Sequence, residues 1–245
     1  MTYLGTPWIN FDDLMIDQIY RIFNETEYSA FSEKGIKELN IDPSKISADQ
    51  YRLKYAISKS LAPDTILELG NGLGYFTHAL LSASPKAIYT RIITSSSGNQ
   101  KYEVLNDKLA KRFLNYNCKL VPANNLSAEL MLGAEFTLIY ISCRNLNEKI
   151  FDFLSVAIGK AKWIVVCDYL SAKESFMEVS EFLIRYKDAI EYSINIPECS
   201  GEIIIRVKDD LKNLKPTDES GSEALSDLYD TSYYLNHCGG CDSFI

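Results

Sequence analysis

The stretch ILELGNGLGYF, residues 66–76, decides how this sequence is to be read. An apolar run ends at Gly70, Gly72 and Gly74 follow at two-residue intervals, and an aromatic run starts at Tyr75. Glycine tolerates positive backbone dihedrals and lets main chain approach a ligand closely. A helix that begins after such a turn aims its free N–H groups at polar ligand atoms. The pattern E-x-G-x-G-x-G, with Glu68 two residues ahead of Gly70, therefore predicts a strand, a ligand-facing turn and a helix. It is not the G-x-G-x-x-G of dinucleotide folds, and no acid ends the next strand candidate, which argues against NAD. A phosphate loop is excluded, because no Gly-Lys-Ser/Thr follows. The plainer reading is that the glycines only tighten the turn.

Working outward from this turn, the chain alternates. Strand candidates lie at 65–69, 87–93, 118–122, 136–142 and 162–168, with helix candidates at 74–83, 99–115, 124–132, 147–159 and 171–188. Most of the strands are continuous apolar runs, as expected where both faces of a parallel sheet are covered. The last two candidates, 190–196 and 202–208, are joined only by PECSG. A connection that short cannot cross over a sheet, so these two strands form an antiparallel hairpin. The expected class is α/β: a mostly parallel sheet closed by an antiparallel C-terminal hairpin, with helices on both faces. Upstream, apolar residues at helical spacing mark a helix over 10–24. Ser47 with Gln50 three residues on reads as a capping box for another, its buried stripe Leu53, Ala56, Ile57 and Leu61. Three regions follow: a helical extension at 1–46, the main domain at 47–208, and at 209–245 an acidic linker with an aromatic, cysteine-containing tail.

Composition narrows the function classes. The 245 residues are 47% hydrophobic and 24% charged, values of a globular chain with a full core. Against 33 acidic residues stand 25 basic ones, a net charge of −8, so the basic footprint of a nucleic-acid binder is missing. The short cluster KLAKR at 108–112 reads as the solvated face of a helix. No apolar run is long enough to span a membrane, and no basic segment precedes an apolar one at the start. The six cysteines do not form a disulfide framework, which points to a reducing, cytoplasmic setting.

The glycine turn with Glu68, then TLIYIS and KWIVVCDY at later strand ends, then the closing hairpin, resemble the class I S-adenosylmethionine-dependent methyltransferases. The helix SADQYRLKYAISKSLAP resembles the one that introduces the sheet in their small-molecule O-methylating members. The likeness covers roughly residues 45–208. It implies a Rossmann-like methyltransferase fold with S-adenosylmethionine as cofactor. Glu68, Gly70, Asn71, Gly72 and Gly74 would wrap its methionine part, Asn124 would stand near the adenine, and Ser142 would join the cofactor set. The family's acid for the ribose hydroxyls should fall at Ile93 or a neighbour, and no acid occurs between Arg91 and Gln100. Ser95, Ser96 and Asn99 offer single hydrogen bonds there.

Metal-assisted relatives place acids where this chain has Ser142 and Cys167, leaving only Asp168. That is too little carboxylate for a hard cation, so no metal is expected. Asp168 is accordingly the catalytic candidate, with capping of the following helix as the duller role for its carboxylate. His78 reads as a structural or surface histidine, and His237 lies in the tail. There HCGGC has the spacing of half a zinc site but reads as plain tail, while YDTSYYLNHCGG resembles the opening of a further methyltransferase-type domain.

The resemblance implies methyl transfer to an oxygen or nitrogen of a small-molecule or sugar-like acceptor. The missing acids favour the alternative of a catalytically inactive, methyltransferase-like scaffold whose partner is a neighbouring enzyme domain. Nucleic acid and membrane are not expected partners, and oligomerisation is left open.

Overall fold

A computed structural model describes residues 13–25, 47–70, 74–94, 100–121, 134–143 and 150–209. The chain divides into two compact units, one built on residues 13–126 and the other on residues 127–240.

The first unit runs α1 (Asp13–Glu25), α2 (Ala48–Leu61), β1 (Thr65–Leu69), α3 (Tyr75–Ala83), β2 (Ile88–Thr94), α4 (Gln100–Arg112) and β3 (Tyr116–Val121). Ser47 caps α2 as its spacing predicts, its hydroxyl accepting the Gln50 N–H at 3.3 Å. The helix ends where Ala62 turns left-handed (φ 43°) and donates its N–H to the Ser58 carbonyl. Leu53, Ala56, Ile57 and Leu61 are all buried. Arg52 holds α1 against α2, donating to the Phe23 carbonyl at 2.6 Å with its guanidinium 4.4 Å above that ring. Ser58 ties α2 to α3 through the Leu80 carbonyl. Strands β1, β2 and β3 pair in parallel, with Glu68, Arg91 and Cys118 at one register level.

The second unit runs β4 (Phe136–Ser142), α5 (Ile150–Ala157), β5 (Ala161–Cys167), α6 (Lys173–Arg185), β6 (Ile190–Ile196) and β7 (Glu202–Val207). Here β4 and β5 are parallel, with Ser142 opposite Cys167. β7 is antiparallel to β5 on one side and to β6 on the other, so the five-residue connection does make the expected hairpin. Every residue of β7 is buried, Glu202 and Arg206 included, as are Trp163–Cys167, which is why these strands read as mostly apolar runs. The seven strands follow the order β3-β2-β1-β4-β5-β7-β6.

Several boundaries move, three of them for reasons visible in the structure. β3 spans 116–121 rather than 118–122, because this outermost strand exposes Asn117, Lys119 and Leu120 and so lacks an apolar signature at its start. The helix expected over 99–115 stops at Arg112, where Phe113 closes onto the Leu109 carbonyl and the Asn115 carbonyl already receives the Tyr89 N–H. The one expected over 171–188 breaks at Arg185 into a 3-10 turn at Lys187–Ala189. The helix candidate at 124–132, the first twelve residues and the tail from 210, with His237, Cys238 and Cys241, lie outside the described residues. Among the described residues no helix is long and apolar enough to cross a membrane.

Candidate active site

Glu68 is buried near the carboxyl end of β1. Its Oε2 accepts the Thr77 and Tyr89 hydroxyls, each at 2.7 Å, and lies 3.5 Å from the Arg91 Nε. Arg91 is wholly buried, and its Nη1 reaches the Asn106 Oδ1 at 3.4 Å, which also receives the Tyr116 hydroxyl at 2.7 Å. Burial opposes the charge on Arg91, but Glu68 and the Tyr116 and Tyr89 hydroxyls favour it and win, so the guanidinium titrates above its ordinary value. Burial, and then Glu68, push the Tyr89 hydroxyl far upward. An ion pair sealed by hydroxyls thus links three strands to α3 and α4. Its sequence signal was a single charge inside the otherwise apolar run AIYTRII.

At the turn above this network, Gly74 has φ +82°, and a Cβ there would lie 2.7 Å from the Leu105 Cδ2 and 3.4 Å from the Arg91 Nη1. Both the dihedral and the space require glycine. Gly70, also at positive φ, donates its N–H to the Ile92 carbonyl. Asn71 and Gly72 lie outside the described residues, as does Asn124. Ile93, where the family resemblance puts an acid, is a fully buried apolar side chain.

In the second unit Asp168 follows β5 directly. It adopts a left-handed conformation (φ 59°) and is only 4% exposed. Its Oδ2 receives the Cys167 thiol at 3.5 Å, while its Oδ1 has no hydrogen-bond partner among the described residues. The duller role is not taken by its carboxylate: α6 is preceded by Ala172 with no side-chain cap. The main-chain carbonyl of Asp168 holds the turn instead, accepting the N–H and hydroxyl of Ser171. The next residues are clamped to the hairpin by Leu170 N–H to the Ser200 carbonyl and by the Tyr169 hydroxyl to Asn195 at 2.6 Å. Ser142 and Cys143 are buried at the end of β4. Burial, and then Cys167, Asp168 and Glu178, raise the Cys143 thiol well above its ordinary range. Among the described residues no three His, Cys, Asp or Glu side chains converge as a metal site.

Solved structures share this fold across most of the chain. The SAH-bound methyltransferase PaMTH1 of Podospora anserina superposes with a TM-score of 0.58 at 16% identity, covering 84% of this chain and 100% of its own. The fold is that of the class I methyltransferases. TomG, the O-methyltransferase of tomaymycin synthesis from Streptomyces achromogenes, solved with SAM, gives 0.53 at 16% identity over 84% and 99% of the two chains. An O-methyltransferase of Bacillus cereus in complex with SAH gives 0.53 at 14% identity over 82% and 99%. No family model matches the sequence, and no curated protein does.

Within this methyltransferase fold His78 is a core residue. It is buried, its Nδ1 is 2.6 Å from the Tyr51 hydroxyl and 3.4 Å from the Ser82 Oγ, and its ring meets Phe113 edge-on. Burial lowers its pKa to about 4. Because an unfolded histidine titrates near 6.5, the unfolded chain binds the extra proton between about pH 6.5 and 4. Stability is therefore expected to fall as pH drops through that window, by up to about 3 kcal/mol from this residue. Thermal unfolding at pH 7.5, 6 and 5 checks this, and H78Q should flatten the slope.

Proposed function

We propose that this chain is an S-adenosylmethionine-dependent methyltransferase acting on a hydroxyl or amine of a small-molecule or sugar-like acceptor. The observation that carries the reading is a positive-φ glycine turn between β1 and α3, in a sheet closed by an antiparallel β7. The turn over Gly70–Gly74 would hold the cofactor through main-chain groups, with Asn71 and Asn124 adding polar contacts. When bound, this cofactor supplies an electrophilic methyl on a sulfonium. Among the described residues one Asp168 carboxylate oxygen has no partner in an almost fully buried position, the state of a group that takes a hydrogen bond from its ligand. In this reading the Asp168 Oδ1 orients the acceptor's O–H or N–H and removes its proton as the new bond forms, a contribution of about 10²–10⁴ in rate. Ser142, Cys167 and Asp168 do not suit a hard divalent cation, and no step is assigned to one.

The positive φ of Gly70 and Gly74 supports a cofactor turn, and Ile93 departs from the pattern that the resemblance implies. Without the ribose carboxylate, binding loses about 1.5–3 kcal/mol, or roughly ten- to a hundredfold. Calorimetric titration with S-adenosylmethionine and S-adenosylhomocysteine is expected to show dissociation constants of about 10–100 µM. No heat and no thermal shift at millimolar ligand would overturn the reading. That outcome would favour a scaffold bound to a neighbouring enzyme domain, the role to which Ile93 lends support.

A further inference from the structure

We propose that Arg91 is the positioning residue of the cofactor turn: through Glu68 it fixes the two ends of the loop, and Glu68 serves the ligand through the loop's shape. This rests on the cofactor reading given above. Glu68 stands two residues before Gly70, and Thr77 stands three residues after Gly74. The 2.7 Å bond between them therefore staples the strand entering the turn to the helix leaving it. The staple needs Glu68 aimed at α3 inside the core, where a carboxylate without a counter-charge is strongly disfavoured.

Arg91 supplies the compensating charge from the paired position on β2. The same guanidinium reaches Asn106 on α4, and its Nη1 lies 3.4 Å from where a Cβ at Gly74 would stand, so one side chain ties the strand side to the flanking helix beside the end of the turn. Tyr89 adds a second hydroxyl to the same Glu68 oxygen. All three of these contacts fall on Oε2, where Arg91 balances the charge.

The test is a double-mutant cycle on the full chain, read by S-adenosylhomocysteine calorimetry and by thermal unfolding. R91M leaves a buried carboxylate unbalanced and is expected to lower Tm by about 10 °C and to weaken the ligand about thirtyfold or more. E68Q with R91M removes both charges and should regain most of the Tm and bring affinity back to within about tenfold of the parent. R91K keeps the charge but not the fork that reaches Asn106, and should fall between. Two results overturn the proposal. In one, R91M leaves both readouts unchanged. In the other, the double variant regains Tm but stays as weak as R91M, which makes the Glu68 carboxylate a direct ligand. A parent chain that takes no S-adenosylhomocysteine sinks the cofactor reading itself, and the positioning role with it, and is thus distinguished from both.

Discussion

Asp168→Asn is expected to cut methyl transfer at least a hundredfold while leaving the folded chain as stable as before, or more so. The amide matches the carboxylate in shape, and asparagine is among the residues that best accept the left-handed backbone found here (φ 59°). Geometry is therefore kept. What disappears is the ability to take a proton, about 10²–10⁴ in rate for a general base. A buried charged oxygen without a partner costs about 1–3 kcal/mol, more than a neutral one does, so neutralising it should not lower Tm. Turnover measured as S-adenosylhomocysteine release, beside a melting curve, separates the cases. Unaltered turnover would remove Asp168 from the mechanism, and a fall in Tm without selective loss of turnover would make it structural. The affinity for S-adenosylhomocysteine should change by less than about threefold.

Gly201→Ala should lower Tm by about 10 °C. Gly201 has φ +84° and follows Cys199 and Ser200, which are also left-handed, so the hairpin connection is already the most contorted backbone described. A Cβ at Gly201 would lie 2.6 Å from the Leu170 Cγ, 2.8 Å from its Cδ1 and 2.9 Å from the Tyr169 Cε1. Those atoms belong to a branched core carbon and an aromatic ring held by the Asn195 bond, so relief requires moving main chain. Left-handed strain of about 1–2 kcal/mol adds to overpacking of about 1–3 kcal/mol. Leu170 and Tyr169 directly follow Asp168, so turnover should fall along with stability. A variant that melts with the parent would show that the β6–β7 connection yields more easily than this packing implies.

Much of the architecture was legible because it is local. The glycines between TILEL and YFTHALLSA demand a turn, Ser47 and Gln50 announce a helix start, and PECSG is too short for anything but a hairpin. Reading was poorest at β3, where exposure of Asn117, Lys119 and Leu120 erases the apolar pattern. At the candidate site, the apolar Ile93 and the single remaining acid at Asp168 could be read from position in a motif. The surroundings of those residues could not be.

What the sequence by itself determined is the order and kind of elements, because dihedral freedom, capping and connection length act over a few residues. Only the tertiary structure decided that Glu68 meets Arg91 and Tyr89, that Tyr51 meets His78, and that one Asp168 oxygen has no partner among the described residues. Those outcomes depend on strand register and on which face each helix turns inward. Register is set by burial summed over whole strands that are far apart in the chain, a quantity no short window of sequence contains.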